Sequence, residues 1–149
     1  MKKILRKEFL ITLLWKQNKW HKHSVLIHTL RLVQECIKAK RYDFILAGLL
    51  HDIAKPLSAI QDDKDRLNGT YSFPNHEELG YRVIKNWSFI NEKTKLLVRY
   101  HYLLRGKEKA LEKGLLNKAK RYERIIKNLD SNMINDLVLF QKLDDIAKD

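Results

Sequence analysis

Apolar residues recur at helical spacing along most of this 149-residue chain, and the alternation that is typical of β-strands is almost absent. Only two prolines and five glycines interrupt the pattern. The spacing therefore predicts an all-α fold, built as a compact single-domain helical bundle. The predicted helices span residues 2–17, 24–39, 43–53, 75–86, 91–104, 107–127 with a break at Gly114, and 131–148.

Side chains that are suited to helix capping precede several of these helices. The interval 56–74, which is bounded by the two prolines, is predicted to be the one long loop. Residues 44–50 are apolar on all faces of the projected helix, so we expect this helix to be buried on every side. The predicted N-cap residues are Asp43, Asn75, Asn91 and Ser131.

Cysteine content and hydropathy exclude two classes of protein. The single cysteine, Cys36, cannot form an intramolecular disulfide, which excludes a disulfide-stapled secreted scaffold and favours a reducing compartment. The apolar run 9–15 is only seven residues long, far shorter than a membrane span, and no small-residue cleavage site follows it. We therefore expect a cytoplasmic protein without a membrane partner, with one domain over residues 1–149.

The chain is strongly basic, with a formal net charge of +12, and the excess is uneven. Residues 1–23 carry seven Lys or Arg against one glutamate, and residues 105–127 carry nine against three. One interpretation is a lysine-rich solvent-exposed surface. The other is attraction of a polyanionic substrate or nucleic acid.

The pair His51-Asp52 directly follows the apolar helix 44–50. A carboxylate at the end of a buried helix needs a cap, an ion pair or a metal, because burial of an unpaired charge costs several kcal/mol. A structural hydrogen bond between the histidine and the aspartate is one interpretation of this dipeptide, and metal ligation is the other.

Two further residues of ligand type are placed inward by helical spacing. His28 lies at the edge of the apolar stripe of its helix, and Asp144 lies inside the stripe of the last helix, whereas Asp145 is rotated to the flank. Imidazoles combined with carboxylates suit Mn, Fe, Co, Ni or Zn better than calcium. The alternative for Asp144 is a pair with a basic side chain such as Arg31.

The order of these residues resembles the HD superfamily of metal-dependent phosphohydrolases. That pattern is a histidine, an adjacent His-Asp pair and a distant aspartate on helices, here His28, His51-Asp52 and Asp144. The resemblance extends from about residue 20 to the C-terminus and implies an HD-type helical bundle. Residues 51–56 followed by 73–80 most resemble the HD domain of bacterial CCA-adding tRNA nucleotidyltransferases.

The resemblance implies a role for each matching position. His28, His51, Asp52 and Asp144 would hold a first divalent metal, and His76 and His101 match the extra ligands of binuclear members, in which the aspartate of the pair bridges both ions. One or two ions are expected, of Mn, Fe, Co, Ni, Zn or Mg. Lys55 matches a position that contacts the scissile phosphate, so Asp52 and Lys55 are the expected catalytic residues. Taken alone, His76 also fits a surface residue and His101 a core histidine.

The chain differs from particular members of the family in three features, which reduce the number of candidate functions. The chain has no room for a nucleotidyltransferase domain, so we expect no CCA addition. No Gly-Tyr-Pro motif follows a later histidine, which argues against a cyclic-di-GMP phosphodiesterase of the HD-GYP type. Position 55 is not the glutamate of the deoxynucleoside monophosphatase branch. The resemblance implies a phosphohydrolase that cleaves phosphomonoesters or phosphodiesters of nucleotide-type substrates. The alternatives are an HD nuclease on single-stranded nucleic acid and a metal-binding interaction module without catalysis. The sequence makes no prediction about oligomeric state.

Overall fold

The structure is a computed structural model that describes residues 23–148 together with Leu14 and Gln17. The predicted helix 2–17 therefore lies outside the described residues, apart from those two positions. The described residues confirm the all-α fold, and they include an isolated antiparallel bridge between Ile60 and Ser72. The helices are α1 (Val25–Lys38), α2 (Ile45–Leu50), α3 (Lys55–Ser58), α4 (Asp63–Asn68), α5 (His76–Ile84), α6 (Glu92–Tyr100), α7 (Leu103–Glu112), α8 (Leu116–Lys127) and α9 (Ser131–Ile146).

The prediction of one helix over 43–53 is wrong. A 3-10 turn, Tyr42–Phe44, leads into α2, which ends at Leu50 and is followed by a turn through residues 51–54. Pro56 has no amide hydrogen and cannot continue a helix from the preceding turn, so a new short helix starts with the proline in its first turn. Burial on every side is also wrong for this segment, because Leu49 is 44% exposed.

The interval 56–74 is not the single long loop that was predicted. It contains most of α3, the whole of α4 and the bridge between Ile60 and Ser72. The Asp62 side chain caps α4 by accepting a hydrogen bond from the Asp65 amide, and Gly69 ends the helix with a φ of 61°. This segment is therefore a structured connection that holds α5 against the rest of the bundle.

Helices α6 and α7 begin and end at different residues from those predicted by 91–104 and 107–127. The Val98 carbonyl accepts a hydrogen bond from the His101 ring, α6 ends at Tyr100, and α7 starts at Leu103. The predicted break at Gly114 is confirmed, because this glycine adopts a φ of 67° between α7 and α8.

The predicted caps differ in outcome. The Asn91 side chain accepts a hydrogen bond from the Thr94 amide, which confirms that cap. Ser131 is wrong as a cap, since Asp130 precedes it and accepts from the Met133 amide. Asp43 is also wrong, because its carboxylate pairs with Arg41 and Lys93 instead of a helix N-terminus. Asn75 occupies the cap position, but its side chain makes no capping hydrogen bond.

Packing of the helices places the candidate ligands next to one another. Helix α1 contacts α2 and α9, α2 contacts α6, α6 contacts α5, and α7 pairs with α8. Among the described residues, no helix has both the length and the apolar character that a bilayer span requires. The core consists of Leu32, Cys36, Phe44, Ala47, Leu97, Leu103, Met133, Leu137, Phe140, Leu143 and Ala147.

Candidate metal centre

The predicted metal ligands come from separate elements and line one cavity of about 690 Å³, here called the metal pocket. One lies on α1, two in the turn after α2, one at the start of α5, one directly after α6 and one on α9. The lining residues in question are His28, His51, Asp52, His76, His101 and Asp144, with Lys55 beside them.

The first triad consists of His28, His51 and Asp144, whose potential ligand atoms all lie within 4.8 Å of one another. The Nε2 atom of His28 is 3.0 Å from Asp144 Oδ1 and 3.3 Å from His51 Nε2. The distance from His51 Nε2 to Asp144 Oδ1 is 3.6 Å. Two imidazole nitrogens and one carboxylate oxygen therefore converge on a common point.

The second triad consists of Asp52, His76 and His101 and has the same compactness. His76 Nε2 lies 3.4 Å from Asp52 Oδ1 and 3.3 Å from His101 Nε2. The other oxygen of Asp52, Oδ2, lies 3.1 Å from His51 Nε2 in the first triad. The two carboxylate oxygens of Asp52 thus face different triads, which is the geometry of a bridging ligand.

Backbone carbonyls hold all of these imidazoles in one orientation. A carbonyl oxygen can only accept, so Nδ1 is the donor in each ring and the neutral ring presents the Nε2 lone pair to the centre. Hydrogen bonds of this kind are typical of metal-ligating histidines. The Nδ1 distances are 3.4 Å for His28 to Ala147, 2.8 Å for His51 to Gly48, 2.8 Å for His76 to Phe73 and 2.7 Å for His101 to Val98.

The donor set fits divalent cations. When the rings are neutral and Nδ1 carries the hydrogen, each 3.3 Å pair of Nε2 atoms brings two lone pairs together with no proton between them. The buried Asp52 Oδ2 accepts no well-formed hydrogen bond, although Lys55 Nζ lies 2.7 Å away. A cation in each triad would compensate both the facing lone pairs and the buried carboxylates.

Electrostatic interactions within the centre oppose the effect of burial on the pKa values of Asp52 and His51. Burial opposes ionisation of Asp52, but the positive charges of His51 and Lys55 outweigh it and hold the pKa of Asp52 well below its usual value. Burial likewise opposes protonation of His51, but Asp52 and Asp144 raise its pKa. Ionised carboxylates therefore draw positive charge into the centre.

His101 is held in its neutral form. Burial, followed by the positive charges of His51 and His76, keeps the pKa of His101 well below its usual value. A neutral imidazole is the form that ligates metal. His101 is 7% exposed and the His76 side chain is 12% exposed, so His76 is the more accessible of these two imidazoles.

Asp144 points inward and Asp145 outward, as helical spacing predicts. Asp144 is 5% exposed, whereas the Asp145 side chain is 51% exposed. Asp144 Oδ2 lies 2.6 Å from Lys148 Nζ and 3.4 Å from Arg105 Nη1, while Oδ1 faces the first triad. Among the described residues Arg31 is not its partner, so the expected alternative pair is replaced by Lys148 and Arg105.

Sequence reasoning missed several residues of the site. Lys148 follows Asp144 by one helical turn and could have been found by its spacing. Arg105 lies on another helix, so no local pattern connects it with Asp144. Gln17 is fully buried, and its Oε1 accepts a hydrogen bond from Lys55 Nζ. No feature of the sequence marks this glutamine as part of the site.

Lys55 is positioned towards the metal pocket by these contacts. It is 5% exposed, and its Nζ lies between Asp52 and Gln17 and 5.5 Å from the centre of the Phe73 ring. An ammonium group beside a candidate metal centre can neutralise a bound anion.

The mouth of the metal pocket carries charged side chains of both signs together with aromatic rings. The segment 105–127 contributes to this mouth through α7 and α8, so part of its charge excess lies beside the candidate ligands. At the mouth, the basic lining residues are Arg105, Lys109, Lys118 and Lys148, the acidic ones are Glu77, Glu108, Glu112 and Asp145, and the aromatic ones are Phe73, Tyr102 and Tyr122.

Comparison with known proteins gives one match. The model of the family described as HD domain matches residues 24–131. No curated protein and no solved structure matches the chain. The matched range contains His28, His51, Asp52, His76 and His101 but ends before Asp144, whose inclusion in the centre rests on geometry. The particular closeness to CCA-adding enzymes stays a prediction.

Proposed function

The chain belongs to the HD domain family, and from this premise we propose that it is a metal-dependent phosphohydrolase that cleaves phosphomonoester or phosphodiester bonds of nucleotide-type substrates. The observation that carries the proposal is the pair of triads joined by Asp52, in which imidazole Nε2 atoms lie 3.3 Å apart in each of two pairs. Imidazole and carboxylate donors in this arrangement are suited to binding divalent cations.

The two triads would each hold one divalent ion, with Asp52 shared between them. Divalent ions in such a site neutralise phosphoryl charge and lower the pKa of water towards neutrality. The carbonyl contacts to Nδ1 keep the imidazoles oriented, and Lys148 and Arg105 orient Asp144.

Lys55 supplies a fixed positive charge for the substrate. Its ammonium group has three N–H donors, and the contacts to Asp52 and Gln17 occupy at most two of them. The remaining donor is available to a phosphoryl oxygen, on which negative charge develops during hydrolysis. Lys55 and Asp52 are therefore the proposed catalytic residues.

The protein has no need of a thiol nucleophile. Cys36 is fully buried in the core, and burial raises the pKa of its thiol to about 11. Because the thiolate is the reactive form, Cys36 is a packing residue.

A nucleotide-type substrate fits the cavity. A volume of about 690 Å³ lies in the range of small-molecule sites, and the aromatic rings at the mouth offer surfaces for a base. A second candidate is a nuclease acting on single strands, which the exposed Lys109 and Lys118 at the same mouth favour.

The experiment that tests the proposal combines metal analysis with hydrolysis of bis-p-nitrophenyl phosphate in the presence of Mn, Ni or Co. We expect the purified protein to carry metal and to hydrolyse the ester. Absence of metal after refolding with excess ions, with no hydrolysis, would refute the enzyme and favour a binding module.

A pair of lysine variants tests the role of Lys55. Lys55→Gln is expected to keep the metal but lose about a hundredfold in kcat, since a donor to developing charge is removed. The control Lys64→Gln, an exposed lysine on α4 outside the pocket, is expected to behave as wild type. Equal kcat values for the two variants would contradict the assigned role.

A further inference from the structure

A second cavity of about 730 Å³ adjoins the metal pocket, and we call it the arginine groove after Arg82, Arg99 and Arg121 in its lining. The two cavities share lining residues at Pro74 and Asn75. Asn75 directly precedes the candidate ligand His76, so the groove begins one residue from the metal centre.

The groove carries uncompensated positive charge. Glu78 is the one acidic residue in its described lining, and its carboxylate lies 3.3 Å from Arg82 Nε and 2.9 Å from Arg99 Nε. Both contacts use Nε, which leaves the Nη donors of these arginines for another acceptor. Within the described part of the chain, Arg121 pairs with no carboxylate. The described lining therefore contains three guanidinium groups and one carboxylate, which contacts two of them.

The chemistry of this lining selects an anion with several acceptor oxygens. Guanidinium groups are planar donors that match phosphate oxygens in a bidentate manner. Arg99 is held in place by Tyr81, whose ring centre lies 4.4 Å from the guanidinium carbon. Leu57 and Leu79 provide an apolar wall beside the arginines. A phosphate group with an attached organic moiety satisfies both parts of the lining.

Neighbouring residues on shared helices connect the groove with the metal pocket. On α5, His76 lines the pocket and Glu78 the groove, and on α8, Tyr122 lines the pocket and Arg121 the groove. Because the two cavities also share lining residues, they adjoin each other, and one phosphorylated molecule could occupy both.

We propose that the arginine groove is a second anion subsite, which binds a phosphate group of the substrate next to the one that is hydrolysed. The assignment of the first subsite rests on the proposed function. The substrate class is then a phosphodiester-linked or multiply phosphorylated nucleotide, and nucleoside monophosphates occupy only the metal pocket. Charge in the groove thereby selects among nucleotide-type substrates.

The test compares binding of two hydrolysis-resistant phosphorothioate probes to the metal-loaded protein by titration calorimetry. The dinucleotide d(TpsT) carries one phosphate and the trinucleotide d(TpsTpsT) carries two. We expect the wild type to prefer the trinucleotide by about tenfold, as one charge-assisted contact provides. Arg121→Gln and Arg82→Gln should remove most of this preference and reduce the salt slope by about 0.7 each.

The matched control is Arg124→Gln, which changes an exposed arginine of α8 that lines neither cavity. It should retain the preference for the trinucleotide. Equal affinity of the wild type for the two probes, or groove variants that match Arg124→Gln, would overturn the proposal. Arg121 is exposed and forms no ion pair with any residue that the structure describes, so its variant tests the proposal if Arg82→Gln does not fold.

Failure of the groove and failure of the hydrolase give different results. A protein that prefers the trinucleotide through Arg121 but does not hydrolyse bis-p-nitrophenyl phosphate supports the groove and contradicts the enzyme. A protein that hydrolyses this single-phosphate ester but binds both probes equally supports the enzyme and contradicts the groove.

Discussion

Substitution of two adjacent aspartates separates metal ligation from surface charge. Asp144→Asn removes a buried carboxylate whose Oδ1 lies 3.0 Å from His28 Nε2, whereas Asp145→Asn removes the same charge from a half-exposed side chain. Both variants keep side-chain volume, and both carboxylates contact Lys148 and Arg105. Loss of an ion-pair partner is therefore common to the two, whereas burial, the contact with His28 and the proposed metal ligation belong to Asp144 alone.

The expected magnitude follows from linkage between metal binding and folding. A metal at 100 times its Kd stabilises the folded protein by about 2.7 kcal/mol. For a chain of this size, 1 kcal/mol corresponds to roughly 2–4 °C in Tm, so added metal should raise the Tm of the wild type by roughly 5–11 °C. A hundredfold loss of affinity leaves the metal near its Kd, which stabilises by about 0.4 kcal/mol, or roughly 1–2 °C.

The assay is thermal unfolding with and without Mn, together with metal content by mass spectrometry. The metal-induced shift in Tm should collapse for Asp144→Asn and persist for Asp145→Asn. Comparison of shifts removes the effect of each substitution on the metal-free protein. A shift that persists in Asp144→Asn and disappears in Asp145→Asn would refute the assignment of the C-terminal ligand.

The remaining predictions concern the second triad, the packing and the ion pairs. His101→Ala should lower metal content from about two ions per chain to about one with an unchanged circular dichroism spectrum, and unchanged content would make His101 structural. A Cβ at Gly106 would lie 2.8 Å from the Tyr122 ring. Gly106→Ala should therefore lower the free energy of unfolding, measured in urea, by about 1 kcal/mol, because an overpacking cost of about 2 kcal/mol exceeds a helix-propensity gain of about 1 kcal/mol. A variant that is more stable than the wild type would contradict this. Burial raises the pKa of Cys36 to about 11, so a disulfide reagent at pH 8 should modify it only after denaturation, and rapid modification of the native protein would contradict its packing. Burial opposes ionisation of Asp136, but hydrogen bonds from Lys93 and Arg41 outweigh burial and lower its pKa. The contribution of Asp136 to folding stability is therefore present above the unfolded pKa of about 3.9 and is lost as pH falls through the folded pKa. The difference in stability between wild type and Asp136→Asn should shrink below about pH 4, and a difference independent of pH would argue against these ion pairs.

Local patterns in the sequence were enough to predict the fold class and the candidates His28, His51, Asp52 and Asp144, whereas His76 and His101 became candidates only through the family resemblance. Apolar periodicity predicted the all-α fold, because the 3.6-residue repeat depends only on residues within one helix. The same repeat placed Asp144 inward and Asp145 outward. The pair His51-Asp52 was conspicuous because it follows an apolar helix directly. Such signals are short-range, and they are readable without knowledge of the partner helices.

Only the tertiary structure decided how the candidates combine. One oxygen of the Asp52 carboxylate lies towards each triad. This arrangement depends on where α1, α5, α6 and α9 meet. The contacts of Gln17 with Lys55 and of Arg105 with Asp144 join residues 38 and 39 positions apart. No periodic pattern links residues at such separations, because their distance in space is set by packing between elements. The division of the segment 43–53 into a 3-10 turn, a helix and a turn has the same cause. The apolar residues of this segment favour a continuous helix, but the proline at position 56 and the packing of the turn that carries the ligands outweigh that preference.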